Sequence, residues 1–199
     1  MSLRGVDYAR QQALFHLQDY ARKFTKGEIQ VPIQVEQIAE LYFGLTIERR
    51  ELPQGTSGQL FTTDRRIVLN ATEPLTRQRF TVAHELGHLA LHKSLVGTPI
   101  CPATSFPEVE TEANRYAASL LLPTNLVLLE LATEVNTRAM IAKNEDRIYE
   151  LTPGELDVIA SRLATKFVAS KTAVEILLSK RFTIRHPRQL SLEVGIENA

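Results

Sequence analysis

The chain has 199 residues, of which 44% are hydrophobic and 23% are charged, and its formal net charge at neutral pH is zero. This length and composition indicate a globular protein with one substantial core and an accessory piece, and the balanced charge excludes a general attraction to nucleic acid or membrane surfaces. The single cysteine, Cys101, excludes an internal disulfide and favours a reducing, cytoplasmic location.

The N-terminal part of the chain predicts helices followed by short strands. A helix is predicted over residues 6–25, with Gly27 closing it. The residues expected on its core-facing side are Val6, Ala9, Leu14, Leu17, Ala21 and Phe24. A short helix over residues 35–43 comes next. No run in the chain is apolar enough to cross a bilayer or to act as a signal peptide, so we expect no membrane partner. No pattern indicates an oligomeric state.

Three strand-like runs follow, at Leu45–Leu52, Gly58–Thr62 and Arg66–Asn70, with a tight turn at Asp64 and Arg65. They predict a small antiparallel or mixed sheet that packs on the next helix, which is an α+β arrangement. If one strand is a free edge, an extended peptide could add to it.

The most specific pattern is H-E-x-x-H at residues 84–88. Residues four apart on a helix share a face, so His84 and His88 can offer two imidazole nitrogens to one Zn²⁺. Glu85 then falls beside the metal, where a carboxylate can take a proton from a water. Residues 75–92 predict this helix, because apolar residues recur at Phe80, Ala83, Leu86 or Gly87, Ala90 and Leu91. Thr72 is a candidate cap, with Pro74 in the first turn. The alternative is a surface helix with two chance histidines.

A catalytic zinc site needs a third protein ligand, and a second amphipathic helix downstream offers three glutamates. This helix ends at Pro123 and has an apolar stripe of Val109, Ala113, Tyr116, Ala117, Leu120 and Leu121. Helical phase places Glu110 at the edge of that stripe, whereas Glu108 and Glu112 fall on the solvated side. We therefore predict Glu110 as the ligand and keep Glu112 in reserve.

Three neighbours are predicted to support the site without binding the metal. Asn114 shares the face of Glu110, and its amide oxygen could accept the second ring N–H of a ligating histidine; the alternative is a surface amide. His92 continues the histidine row, but eight residues of helix rise about 12 Å, too far for three stacked histidines to share one ion. It could contact the site through a hydrogen bond, and the favoured alternative is a helix-end histidine near the C-terminal dipole. Tyr116 lies on the same helix as Asn114. Cys101 sits in a proline-containing loop, predicted over residues 93–107 near the cleft, and is treated as incidental.

The C-terminal third predicts a different, helical segment. Thr152-Pro-Gly-Glu155 is a capping box that starts a helix with Leu156, Ile159, Leu163 and Phe167 on one face. Ser170 is predicted to cap a second helix with inward residues Ala173, Val174, Leu177 and Leu178. Two helices joined at Val168 and Ala169 resemble a helix-turn-helix, although the glycine often found in that turn is absent.

The segment from Arg162 to Arg188 contains seven lysines and arginines but only one acidic residue, Glu175. This local excess would suit contact with nucleic acid or an acidic partner, with Lys171, Lys180 and Arg181 as the candidate residues. The alternative, which we favour over DNA binding, is a packing subdomain with a solvated basic face.

The motifs R-F-T-x-A-H-E-L-G-H-L-x-L-H and E-x-E-A-N-x-Y-A-A-x-L-L-x-P resemble the ImmA/IrrE family of zinc metallo-endopeptidases, and the likeness runs from about residue 30 to residue 130. The resemblance implies a gluzincin-like site with His84, His88 and Glu110 on zinc and Glu85 as the catalytic base. It also implies that the substrate is a helix-turn-helix repressor, often encoded by a neighbouring gene. Tyr116 departs from the family, which more often has phenylalanine there, and we favour a core tyrosine over one that reaches the oxyanion.

Together these patterns predict a zincin-like core at residues 28–130, an N-terminal helix at residues 1–27 that packs on it, and a helical segment at residues 131–199 with a basic tail. With the substrate that the family resemblance implies, the expected function is zinc-dependent cleavage of a repressor protein, and Mn²⁺ or Fe²⁺ could bind the same donors. The alternative is a regulatory protein that contains a metal and binds a repressor or DNA without cleaving anything.

Overall fold

The computed structural model describes residues 3–92, 106–134, 150–180 and 183–184. The chain forms two compact units, one of residues 1–123 with 167–169 and one of residues 124–166 with 170–199. The first unit holds the elements α1 (Leu3–Phe24), α2 (Val35–Gln37) with a π-helical turn (Ile38–Tyr42), β1 (Thr46–Arg50), β2 (Gly58–Phe61), β3 (Arg66–Asn70), α3 (Leu75–Leu91) and α4 (Pro107–Leu121). The predicted α+β class is confirmed.

Helix α1 packs its apolar face against α4 and ends at Phe24. Gly27 closes it as predicted, because its N–H donates to the carbonyl of Ala21 at 2.9 Å. Gly27 has φ +89°, a conformation that glycine adopts without steric cost. The prediction that Phe24 faces inward was wrong, because Phe24 is 46% exposed and its ring stacks on that of Tyr20. Tyr20 fills the inward position in its place.

The predicted helix over residues 35–43 is one turn of α2 followed by a π-helical turn. Its last bond runs from the N–H of Phe43 to the carbonyl of Ile38, five residues back, at 3.1 Å. The wider turn keeps Ile38 and Ala39 fully buried on the core side.

The sheet is mixed, with order β1-β3-β2: β1 runs parallel to β3, and β2 runs antiparallel to it. All three predicted strands are confirmed, and β1 and β2 are shorter than predicted. The turn is also confirmed, at residues 62–65, and Arg65 has φ +50° there. The guanidinium of Arg65 donates hydrogen bonds to the carbonyls of Phe43 and Gly44.

Helix α3 lies between the sheet and α4 and is buried on most of its surface, which excludes the surface-helix alternative. Pro74 precedes its first residue, and the predicted cap at Thr72 was wrong. The hydroxyl of Thr72 donates instead to the side-chain oxygen of Asn70 at 2.8 Å, because the chain is still turning out of β3 at that point.

Gly58 allows β2 to press against α3. A Cβ atom at this position would lie 2.5 Å from Cγ2 of Thr81 and 3.0 Å from the carbonyl oxygen of Val68. A side chain there would force the strand away from the helix, so the sequence places glycine where the two elements touch.

The second unit holds α5 (Thr124–Glu134), β4 (Glu150–Leu151), α6 (Pro153–Phe167), α7 (Lys171–Ser179) and β5 (Thr183–Ile184). The predicted capping box is confirmed, with the N–H of Thr152 donating to Glu155 at 2.8 Å and the N–H of Glu155 donating to the Thr152 hydroxyl at 3.3 Å. Ser170 caps α7 as predicted. No helix in the described ranges has both the length and the apolar character that a bilayer crossing requires.

Candidate metal centre

Two histidines on α3 face each other across one helical turn. The Nε2 atoms of His84 and His88 lie 2.9 Å apart, and their ring centroids are 4.5 Å apart at an interplanar angle of 84°. His88 is almost fully buried, whereas the His84 side chain is 16% exposed. The pair therefore directs two nitrogens at one point on the border between the core and solvent.

Glu110 completes this group from α4. Its Oε2 lies 3.2 Å from Nε2 of His84, and its Oε1 lies 3.4 Å from Nε2 of His88. One donor atom from each of the three residues falls within 4.8 Å of the others, so the group could hold a metal ion. The Glu110 side chain is 32% exposed, which leaves a solvent-facing side for a further ligand.

Gly87 explains how α4 comes close enough to supply that carboxylate. A Cβ atom at Gly87 would lie 3.0 Å from Cα of Ala113, 3.1 Å from its carbonyl oxygen and 3.2 Å from Cβ of Tyr116. Only glycine fits this crossing of α3 and α4 without displacing a backbone. Periodicity alone did not predict this contact, although the glycine inside H-E-L-G-H is a signal for it in the sequence.

Asn114 sets the tautomer of His84. Its Oδ1 lies 3.0 Å from Nδ1 of His84, and an amide oxygen only accepts, so Nδ1 carries the hydrogen. The lone pair of the opposite nitrogen, Nε2, then points towards Glu110 and is free to bind a cation. The structure thus brings Asn114 to the position that was predicted for it.

The electrostatics of the group suit a cation and disfavour two charged imidazoles. Burial lowers the pKa of His84 and of His88, and the neighbouring His84 lowers that of His88 further. Both rings are therefore neutral near pH 7, the form in which imidazole binds metals. Two neutral imidazole nitrogens and one carboxylate are the donor set of catalytic zinc sites, and they fit the predicted Zn²⁺ as well as Mn²⁺ or Fe²⁺.

Glu85 is 8% exposed, and burial raises its pKa to about 8, with the negative charge of Glu110 adding to the effect. A carboxyl group with a pKa near neutrality can both accept and return a proton. A cation at the neighbouring donors would favour its ionised form.

His92, Glu112 and Tyr116 lie outside the donor group. The ring of His92 is 5.6 Å from that of His88, and its Nε2 lies 3.8 Å from Oε2 of Glu112. Glu112 is therefore turned to His92. The fully buried Tyr116 shares a 2.8 Å hydrogen bond with Nδ1 of His16 on α1, a partner that sequence reasoning missed because it lies 100 residues away.

The basic residues of the second unit are partly neutralised within that unit. Lys171 forms ion pairs with Asp157 and, at 3.8 Å, with Glu175, and Lys166 pairs with Glu130. Lys180 is exposed, and Arg181 lies outside the described residues, as do Cys101 and most of the predicted 93–107 loop. Of the three candidate residues for binding nucleic acid or an acidic partner, the structure therefore describes only Lys171 and Lys180.

A mixed sheet beside a helix with H-E-x-x-H, completed by a glutamate from the next helix, defines the class of zinc metallopeptidase-like folds. Within this class, the model of the M78 peptidase family, described as an IrrE N-terminal-like domain, matches residues 41–179. The chain belongs to this family, which confirms the resemblance seen in the sequence.

The search of curated proteins found no match. Among solved structures, a Mycobacterium tuberculosis transcriptional regulator matches with a TM-score of 0.51 and 17% sequence identity. The match covers 94% of this chain and 53% of that one, so this chain spans about half the length of the regulator. This likeness shows the fold.

Proposed function

We propose that this protein is a metal-dependent endopeptidase of the cytoplasm that cleaves a helix-turn-helix repressor. The observation that carries the proposal is the convergence of His84, His88 and Glu110, whose donor atoms lie within 4.8 Å of one another beside the buried Glu85. Membership of the M78 family and the likeness to a transcriptional regulator support a role in regulation.

In this proposal His84, His88 and Glu110 hold Zn²⁺, which when bound supplies a Lewis acid for a peptide carbonyl and for a water. The Glu85 carboxylate accepts a proton from that water as it attacks, and then returns the proton to the departing amine. Asn114 keeps the His84 ring in its metal-binding orientation.

The outer edge of β2, called the free edge below, is the proposed binding site for the substrate backbone. The N–H of Asn70 donates to the carbonyl of Ser57 at 2.9 Å, so Ser57 and Asn70 form a hydrogen-bonded pair. Antiparallel strands alternate such pairs with open ones, so the backbone groups of Gly58 and Leu60 point away from β3. Because no described strand lies beyond β2, an extended peptide can pair with these groups.

The direct test is to incubate the purified chain with Zn²⁺ or Mn²⁺ and the repressor-like product of a neighbouring gene. We expect a discrete fragment of the repressor whose appearance is blocked by a chelator. A stable complex without any fragment would contradict cleavage and would support the alternative of a non-catalytic binding protein.

The Glu85→Gln variant should separate metal binding from hydrolysis. A glutamine side chain has the same shape as glutamate but cannot take a proton, so we expect zinc content to stay near the wild-type value while cleavage falls by about 10²–10⁴-fold. Zinc per chain and the rate of fragment formation measure the two effects. Wild-type cleavage by this variant would remove Glu85 from the mechanism.

A further inference from the structure

Three side chains form a continuous row along α3 that leads away from the metal centre. Arg77, Phe80 and His84 are spaced by three and four residues, so they lie on one face of the helix. The guanidinium carbon of Arg77 lies 5.8 Å from the centre of the Phe80 ring, and that ring lies 6.2 Å from the His84 ring. Arg77 thus marks the far end of a surface that begins at the candidate metal site.

Arg77 is held in place but keeps hydrogen-bond donors for a ligand. Its Nε and Nη2 donate to the hydroxyl of Ser57 at 3.2 and 3.1 Å, and its Nε lies 3.9 Å from Oε1 of Glu73. Within the described part of the chain nothing accepts from Nη1, and the side chain is 55% exposed. A guanidinium oriented in this way can bind a carboxylate through its outer nitrogens.

The contact with Ser57 places Arg77 at the start of the free edge. Ser57 directly precedes β2, and the next residue, Gly58, packs against Thr81, which lies between Arg77 and His84 along α3. The outward backbone groups of Gly58 therefore lie beside the part of α3 between Arg77 and His84. A peptide paired with β2 would therefore extend along α3 between Arg77 and the candidate metal centre.

We propose that Arg77 is a specificity residue that binds an acidic side chain of the peptide substrate; this inference rests on the proposed function. Seven residues of helix separate Arg77 from His84, a rise of about 10 Å. An extended peptide covers that distance in about three residues. The preferred aspartate or glutamate therefore lies about three residues from the cleaved bond.

Glu73 modulates this preference. Its Oε1 accepts from the Ser57 hydroxyl at 2.8 Å and lies near the Arg77 guanidinium, so it offsets part of the positive charge. Removing its charge in the Glu73→Gln variant should strengthen the preference for an acidic residue, the opposite of the effect of Arg77→Gln.

The test uses the full chain loaded with Zn²⁺ and a set of ten-residue peptides with blocked ends, built from Val, Thr and Ala. Each peptide carries one Glu, or one Gln as the neutral match, at a position that moves along the series. Mass spectrometry locates each cut, and kcat/KM is measured for every Glu and Gln pair. We expect cuts two to four residues from Glu and a Glu-to-Gln ratio of about ten.

The variants decide whether Arg77 causes the ratio. Arg77→Gln should bring it to about one, whereas the matched Arg50→Gln, which changes an exposed arginine on β1, should leave it unchanged. One further peptide ends in a free C-terminal carboxylate at the same distance from the cleaved bond as the preferred Glu. It tests whether this carboxylate can replace the Glu side chain. A wild-type ratio near one, or a ratio that survives Arg77→Gln, would overturn the proposal.

A binding measurement distinguishes failure of the proposed peptidase activity from failure of the assignment of Arg77. Fluorescein-labelled Glu and Gln peptides are titrated with the Zn²⁺-loaded Glu85→Gln chain, with and without Arg77→Gln, and Kd is read from anisotropy. Tighter binding of the Glu peptide that is lost with Arg77 supports the assignment even when no peptide is cut, whereas equal Kd values for the two peptides overturn it.

Discussion

At the scale of single residues, the candidate site depends on the directions in which a few polar atoms point. His84 offers Nε2 to the centre because its other nitrogen donates to Asn114. Helical phase in the sequence was enough to propose Asn114 and to favour Glu110 over Glu112, since both arguments involve residues on one helix. The partner of Tyr116, His16, could not be predicted, because that contact depends on how α1 packs.

Replacing Asn114 with Ala should weaken metal binding and leave the fold intact. The His84 ring would lose the acceptor that fixes its tautomer, and outer hydrogen bonds of this kind contribute about 10- to 100-fold to metal affinity. Competition with a chelator of known affinity measures the change. The control is Asn125→Ala, which removes an exposed amide on α5; equal affinities in the two variants would refute the role of Asn114.

At the scale of helices and strands, the arrangement is set by two glycines at points of close contact. Gly58 brings β2 against α3, and Gly87 brings α4 against α3. Periodicity predicted the helices and strands themselves, because each buries one face. It did not predict the π-helical turn after α2 or the parallel pairing of β1 with β3, since both depend on contacts between distant segments.

Gly87→Ala should damage the fold and the metal site together. The added methyl group meets the backbone of Ala113 at 3.0 Å, so α4 must shift and carry Glu110 away from the histidines. We expect the free energy of unfolding to fall by about 1–3 kcal/mol, measured by urea denaturation, with a parallel loss of zinc affinity.

Gly154→Ala is the matched control, because in the described part of the chain no atom beyond the chain neighbours and the backbone of α6 lies within 4 Å of a Cβ atom at this position. Alanine favours helices over glycine by up to about 1 kcal/mol, so this variant should be neutral or slightly stabilised. If the two variants lose stability equally, the close contact at Gly87 does not explain the effect.

At the scale of the whole molecule, a buried arginine links segments that are distant in sequence. Arg79 is 8% exposed, and burial lowers its pKa. Its guanidinium donates to the carbonyl of Ile33 at 2.7 Å and to that of Val168 at 3.2 Å. The sequence showed Arg79 only as a charge on the metal-binding helix, because its partners are two backbone carbonyls without a sequence signal.

Arg79→Met should destabilise the first unit by about 2 kcal/mol, because two carbonyl groups lose charge-assisted donors. Methionine keeps much of the apolar stem, so the loss reports mainly on the hydrogen bonds. Urea denaturation measures it, with Arg162→Met, at an exposed position on α6, as the control. Unchanged stability in the Arg79 variant would show that these bonds contribute nothing.

Calorimetric titration of the metal-free chain with Zn²⁺ shows whether His84, His88 and Glu110 bind one divalent cation together. We expect one site per chain in the wild type, a loss of affinity of at least about 100-fold in Glu110→Ala, and a retained site in Glu112→Ala. Tight zinc binding that survives Glu110→Ala, or that is lost with Glu112→Ala instead, would contradict binding by these three residues.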